Sequence, residues 1–255
     1  MKAIILAAGY ATRLFPLTKN FPKPLIKINN KPMINYVLEK IEDIGITKVY
    51  VVTNEKFEKQ FEEWAESYNG KARVSIVNDH TQSNDDRLGA IGDIQYAIEQ
   101  IGIDDDILVI ASDNLFKFSL YNALELFKKV NKSTIIVYDV KEKDEASKMG
   151  VISLDETKKV TSFVEKPEDP ATTLCAIAVY FYPKNVLPLI KRYLDEDNNK
   201  DAPGNLPAWL IKKDVVYCQV YEEQWYDIGG FEKLKQAKED FGEENVDIEE
   251  LKKLK

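Results

Sequence analysis

Short runs of β-branched residues, nearly continuous and separated by helical patterns, constrain this chain more than any other feature. Ala3–Leu6, Val49–Val52, Val74–Val77, Ile107–Ile110 and Ile135–Val137 are apolar on successive residues and bounded by polar ones. A strand that is apolar on both faces is buried on both faces, the condition of a parallel sheet covered by helices. Between these runs, Met33, Ile34, Val37, Leu38, Ile41 and Ile44 recur at helical spacing, with Pro32 suited to the first turn and Gly45 to the stop. A second helix is expected after Ser119, with Leu120, Ala123, Leu124 and Phe127 on one face. Strands alternating with helices of this length imply βαβ units. The expected fold class is therefore α/β, a Rossmann-like three-layer sandwich around a mostly parallel mixed sheet.

The rhythm changes after about residue 140. Gly150–Leu154, Val160–Glu165 and Leu174–Tyr182 read as strands of antiparallel hairpins added to the sheet. Helical patterns follow near Pro183–Leu194 and Pro203–Lys212, then a strand at Val215–Val220. Residues 231–255 are helical in pattern and highly charged, so a solvated closing element is expected there. The chain shows no low-complexity linker, internal repeat or hexapeptide array. The economical reading is one domain over residues 1–255, with halves at 1–140 and 141–230 and a tail at 231–255.

Composition narrows the function. With 35 basic against 43 acidic side chains the net charge is −8, and a dedicated nucleic-acid binder needs the opposite sign to displace counterions from phosphates. No apolar run approaches the roughly eighteen residues of a membrane span. Met1–Ala8 is a short apolar run leading into Gly9–Arg13 without a small-residue cleavage site, so it reads as a buried first strand and not as a signal peptide. Cys175 and Cys218 both lie in apolar stretches, as expected of buried free thiols in a reducing cytoplasm. His80 is the only histidine, which excludes a His-based zinc site.

In an open parallel sheet, ligands lie at the carboxyl ends of the strands. The segment after the first strand, Leu6-Ala7-Ala8-Gly9-Tyr10-Ala11-Thr12-Arg13-Leu14-Phe15-Pro16-Leu17-Thr18, is followed by Pro22-Lys23-Pro24-Leu25. Small residues admit close backbone approach, exposed amides can form an anion nest, and Arg13 and Lys23 bring two cations. It matches neither the Walker loop nor the dinucleotide fingerprint. The residues alone leave two readings: a triphosphate cradle, or an ordinary turn carrying two surface cations. Asp113 and Asp227, taken singly, read as cap or turn formers, and Glu165-Lys166 as a solvated loop pair. Asp104-Asp105-Asp106 precedes a strand instead of following one, and reads as a solvated turn.

Taken in order, these segments resemble the sugar-1-phosphate nucleotidyltransferases. The first loop, Leu6-Ala7-Ala8-Gly9 through Thr12-Arg13-Leu14 with Pro22-Lys23-Pro24-Leu25, is similar to that family's NTP-phosphate signature. Ser112-Asp113-Asn114, Met149-Gly150-Val151, Phe163-Val164-Glu165-Lys166-Pro167 and Trp225-Tyr226-Asp227-Ile228-Gly229 follow where the family has further landmarks. The resemblance implies NTP binding by Leu6, Ala8, Gly9, Tyr10, Ala11, Thr12, Arg13 and Lys23, with Asn78 and Gly89 at the base. It implies Mg²⁺ on Asp113 and Asp227, a sugar phosphate on Asn114, Gly150, Glu165 and Lys166, and catalysis by Arg13, Lys23, Asp113 and Lys166. It makes residues 1–140 the NTP-binding half and 141–230 the sugar-phosphate half. Ala11 stands where the family has a second glycine, implying a stiffer loop. The Asn78–Ala90 segment has no counterpart of the family's base-reading Gln, and Asp93 replaces a small residue. Amides and backbone of the Asn78–Gly89 loop are expected to read the base instead, with a thymidine or uridine triphosphate expected over CTP or a purine.

The chemistry agrees with such a residue set. A phosphate monoester has a second pKa of about 6 and is already a nucleophile near neutral pH. No general base is then needed in a chain without an evident Ser-His or Cys-His arrangement. The remaining tasks are positioning and charge neutralisation while pyrophosphate leaves. Competing readings are a cytidylyltransferase acting on a non-sugar phosphate such as inositol phosphate, and a catalytically silent sensing subunit. Retention of Arg13, Lys23, Asp113 and Asp227 disfavours the second. A glycosyltransferase of similar architecture has no use for the first-loop signature. The expected partners are small molecules, with a homo-oligomer allowed and no nucleic acid or membrane.

Overall fold

The computed structural model describes residues 1–243 and 246–253. The first stretch of chain runs through β1 (Lys2–Leu6), β2 (Lys27–Ile28), β3 (Lys31–Pro32), α1 (Met33–Asp43), β4 (Lys48–Thr53), α2 (Glu58–Ser67), β5 (Arg73–Asn78), α3 (Ala90–Ile101) and β6 (Ile107–Ala111). It continues through β7 (Asn114–Phe116), α4 (Tyr121–Val130), β8 (Thr134–Asp139), α5 (Lys143–Ala146), β9 (Gly150–Leu154), β10 (Val160–Glu165) and β11 (Leu174–Tyr182). The last elements are α6 (Leu187–Asp195), α7 (Asn205–Leu210), β12 (Tyr217–Tyr221), β13 (Trp225–Asp227), α8 (Phe231–Asp240) and α9 (Ile248–Leu251).

β5, β4, β1 and β6 lie side by side and parallel, with β1 between β4 and β6. Alternation along each strand feeds two cores. Ala3 and Ile5 of β1 and Leu108 and Ile110 of β6 meet α1, α2 and α4 on one face. Ile4, Ile107 and Val109 meet α3, α6 and α7 on the other. That is the expected three-layer sandwich, and all five core runs form strands. The chain leaves β1 toward β4 and later returns to its other side as β6. This reversal opens a crevice at the carboxyl ends of β1 and β6, where Leu6 and Ala111 are register partners.

The second half adds antiparallel strands. β11 pairs β6 through Val179–Tyr182 and β9 through Cys175 and Ala176, and β8 runs antiparallel along its other edge. The register of β11 on β8 breaks between Ala176 and Tyr180, and Ala178 takes a left-handed φ of 54°. This bulge bends the strand away from the ladder beside the crevice. Cys175 and Cys218 are buried and unpaired, as expected. Among the described residues, no helix is long and apolar enough to cross a membrane.

The tail departs from expectation. Leu234, Ala237 and Leu251 of α8 and α9 are buried with Leu14, Leu17, Ile26 and Ile28, so this segment backs the first loop instead of lying free in solvent. Lys238 is buried too, its Nζ donating to the Lys27 carbonyl and to Glu243 at 2.8 and 2.9 Å. The charges of an amphipathic helix hid a narrow apolar stripe that finds its partner only in the fold. Residues 244–245 and 254–255 of the tail lie outside the described residues.

Candidate active site

Two cavities open along the crevice and abut at Ala111, Asp113 and Pro203, which line both. The larger, about 410 Å³, is walled by the first loop from Leu6 to Ala11, by Arg13 and Lys23, and by residues of the Asp79–Asp93 stretch. The smaller, about 160 Å³, is walled by Asn114, Gly150, Phe163, Glu165, the β11 bulge, Gly204, Trp225 and Asp227.

The first loop is held by hydrogen bonds that leave its open side free. Ala7 N–H donates to the Val52 carbonyl at 2.9 Å. The buried Asn54 amide donates to the Ala8 carbonyl at 2.8 Å, and Thr18 Oγ1 donates to the Ala11 carbonyl at 2.7 Å. Ala11 adopts φ 46°, ψ 44° just before a 3₁₀ turn at Thr12–Leu14. This is the left-handed conformation that glycine takes freely and alanine takes at a cost of about 1–2 kcal/mol. Thr12 is not among the residues lining either cavity.

Lys23 crosses to the end of β6. Pro22 and Pro24 stiffen its 3₁₀ turn, and its Nζ meets Asp113 Oδ2 at 2.7 Å, with the lysine side chain 10% exposed and the aspartate 34%. Burial opposes ionisation of Asp113, but the charge and hydrogen bond of Lys23, with Arg13 behind it, hold the carboxyl below its usual range. Asp227 arrives from the opposite half, because β13 pairs β7 and puts Asp227 across from Asn114. Burial and then the charge of Asp113 push the Asp227 carboxyl up, against Lys23, Arg13 and Lys233. Arg13 reaches the same place: a Cβ on Gly229 would lie 3.3 Å from its Nη1 and 3.6 Å from Asp227 Oδ2. Two carboxylates and two cations thus converge where the cavities meet.

In the smaller cavity, Glu165 is half-buried and accepts no hydrogen bond from the described residues. Burial raises its pKa, partly offset by Lys166. Its carboxylate fits only because two neighbours are glycines, since a Cβ on Gly150 or Gly204 would come within 2.9 or 3.0 Å of Oε2. Asn114 lines this cavity with its amide already spent, donating to the Ile177 carbonyl and accepting from Trp225 Nε1, both at 2.7 Å. It therefore braces the bulge and the indole. Lys166 is exposed, with φ 48°, and lines neither cavity.

Asn78 turns away from the larger cavity, its amide donating to Glu55 at 2.7 Å and Glu58 at 2.9 Å, while Gly89 lines that cavity as expected. Asp79, Asn84 and Arg87 of the Asn78–Gly89 loop, which the sequence marks as base-facing, also line it, as do Asp93 and Asp201, which it does not. Arg87 and Asp201 form a two-pronged ion pair, at 3.2 and 2.9 Å, between segments far apart in the chain. Nothing local signals such a pairing; the acidic Asp93 in a helix otherwise apolar on that face was the one available sign.

The nucleotidyl transferase family model matches residues 2–244, and the chain belongs to that family. It is 30% identical over 231 residues to the bifunctional protein GlmU of Methanocaldococcus jannaschii, covering 90% of this chain and 51% of that protein. It is likewise 30% identical over 233 residues to mannose-1-phosphate guanylyltransferase 1 of Arabidopsis thaliana, covering 90% and 61%. The chain thus spans about half to three-fifths of the length of these relatives. A solved UDP-glucose pyrophosphorylase complexed with UDP-glucose superposes with a TM-score of 0.82 at 23% identity, over 94% of this chain and 97% of that one, and so has the same fold.

Proposed function

We propose that the protein joins an NTP to a sugar 1-phosphate, releasing pyrophosphate and an NDP-sugar. The observation that carries this reading is the meeting of two cavities at the Lys23–Asp113 ion pair, one walled by a cationic backbone-rich loop and the other by an unpaired carboxylate. Arg13, Lys23 and the amides of the Ala8–Ala11 loop hold the triphosphate, and Glu165 accepts hydrogen bonds from sugar hydroxyls. Lys166 follows Glu165 but lines neither cavity, so Arg13 and Lys23 at the junction are the cations left to face the attacking phosphate. A phosphate oxygen of the sugar 1-phosphate forms a bond to the α-phosphorus as the bond to the pyrophosphate oxygen breaks. Neither cavity is lined by histidine or cysteine, consistent with a nucleophile that needs no base. The positioned cations neutralise charge on the transferring group.

The family resemblance implies Mg²⁺, and the residues fit it. Asp113 and Asp227 are hard oxygen donors on different elements, and the charge of one raises the pKa of the other, a repulsion that a divalent cation relieves. Among the described residues no cluster of three or more acidic, His or Cys side chains forms a cation cage, as expected where substrate phosphates complete the coordination. When bound, the ion supplies charge neutralisation at the phosphates. The buried free thiols support a reducing, cytoplasmic setting.

A pyrophosphate-release screen of ATP, GTP, CTP, UTP and dTTP against a panel of sugar 1-phosphates, with inositol phosphate included, tests the reading. Pyrophosphate release that requires one sugar 1-phosphate is the expected result. Release only with inositol phosphate, or nucleotide binding without any release, would replace it with one of the two competing readings.

A further inference from the structure

The far end of the larger cavity holds a pair of acids that neither the triphosphate nor a metal accounts for. Asp79 follows β5 and Asp93 sits in the first turn of α3; they are 5% and 6% exposed, and both line the cavity. Thr81 donates to Asp79 Oδ1 through its N–H at 2.8 Å and its hydroxyl at 2.7 Å. Asp79 Oδ2 and Asp93 Oδ1 are buried with no hydrogen-bond partner. The two carboxyls are within hydrogen-bonding reach of each other. Two ionised carboxylates so placed repel strongly, and one shared proton gives both orphan oxygens a partner. Burial first, then the charge and hydrogen bond of Asp79, push Asp93 up to about 8, with Lys200 opposing. Burial and the neighbouring Asp79 thus favour a proton on Asp93, placed beside the orphan oxygen of Asp79. With Asp79 Oδ1 taken by Thr81 and the two orphan oxygens sharing the proton, Asp93 Oδ2 is the acceptor left for a ligand in the cavity that both residues line.

The position matters because charge divides the cavity. Arg13 and Lys23 draw the phosphates to the β6 end, and Arg87, the third cation of the lining, is already paired to Asp201, so the two acids leave their end to the nucleobase. The bases differ there. Uracil and thymine present one N–H between two carbonyls, which an amide side chain complements and an acceptor surface opposes. Guanine presents a ring N–H beside an amino group, two adjacent donors that suit a carboxyl acceptor. Asn84 is the only amide side chain among the lining residues, and it is exposed.

We propose that the Asp79–Asp93 pair reads the nucleobase and selects an amino-bearing base, guanine above all, over uracil and thymine. The proposal rests on the reading of the larger cavity as the NTP site, and it departs from the thymidine or uridine preference expected from the sequence.

Calorimetric titration of the full chain with GTP, ITP, UTP and dTTP, without sugar phosphate, tests it. GTP should bind at least about 10-fold more tightly than UTP or dTTP, the scale of one good base contact. ITP, which lacks the amino group, should also bind more weakly than GTP. Asp93→Asn exchanges an acceptor for a donor and should shrink the GTP-to-UTP ratio about 10-fold without weakening UTP, a change that general unfolding cannot produce. The comparison of GTP with ITP uses only the unaltered protein, so it stands if the variant does not fold. Equal binding of GTP and UTP, or an unchanged ratio in a folded Asp93→Asn protein, would overturn the proposal while leaving the NTP site intact. No binding of any NTP would remove the site itself, and this proposal with it.

Discussion

On the proposed reading the two cavities share one task, holding a phosphorylated ligand, and meet it with opposite resources. One wall of the larger is a single short stretch of chain after β1, and its cations are already in place, Lys23 seated on Asp113 and Arg13 reaching the end of β13. The smaller is assembled from β7, β9, β10, β11 and β13, and its lining includes the carboxylates of Asp113, Glu165 and Asp227 but no Lys or Arg. A wall made by one loop can be preorganised by local hydrogen bonds. A site made by five strands depends on packing, here on glycines at 150 and 204 that let Glu165 and Phe163 close in. The first should therefore fail through lost charge, the second through lost shape.

The junction should be the most sensitive point, because it serves both sides. Asp113→Asn and Asp227→Asn are each expected to lower kcat by about 10²–10³-fold, the scale of losing one major electrostatic stabiliser. Both should remain folded, as thermal unfolding would show. Near-normal turnover of either variant at low Mg²⁺ would remove that residue from the site.

Next in size is the separation of the two ligands. Charge-assisted hydrogen bonds contribute about 1.5–3 kcal/mol, or roughly 10–150-fold in binding. Arg13→Ala should raise KM for the NTP by that factor with little change for the sugar phosphate, and Glu165→Gln should do the reverse. Steady-state kinetics with each substrate varied in turn will decide. If Glu165→Gln weakened the NTP alone, the assignment of the cavities would be inverted.

Gly150→Ala tests shape without touching charge. The added methyl would sit 2.6 Å from the Phe163 ring and 2.9 Å from Glu165 Oε2, and overpacking of this kind costs about 1–3 kcal/mol. A Tm loss of about 2–4 °C per kcal/mol is expected, with a raised KM for the sugar phosphate and an unchanged KM for the NTP. Equal changes in both constants would show that the cavities are not separable by packing.

The smallest effect belongs to the larger cavity's backbone. Ala11→Gly relieves the left-handed strain at φ 46° but makes the unfolded chain more flexible, two effects of about 1 kcal/mol that nearly cancel. Tm should move by no more than a few degrees, and KM for the NTP should stay within about twofold. A large loss of NTP binding would mean that the stiffness of alanine here is part of the phosphate site.

Much of this molecule could be read from the chain because periodicity and local loop chemistry are local properties. Doubly apolar runs such as Val49–Val52 are satisfied only inside a covered parallel sheet. The first loop carries its own small residues, cations and prolines within a short span. Asp113 and Asp227 could be picked out as strand-end acids, but their shared location came from β7 pairing with β13. The packing of the tail is hidden in the sequence because its charges outnumber the few residues, Leu234, Ala237 and Leu251, that meet Leu14 and Ile28.

By itself, then, the sequence determined the layered α/β core and the cationic loop, since each follows from neighbours along the chain. Only the tertiary structure decided that Asn114 braces Trp225, that Asn78 faces Glu55 and Glu58, that Arg87 meets Asp201, and that Asp79 and Asp93 share a buried end of the cavity. The reason is physical. Side-chain type is written locally, but burial, the direction a side chain points and the charge it faces are set by elements far apart in sequence. Those three quantities decide whether an acid becomes a cap, a metal ligand or a proton-sharing partner.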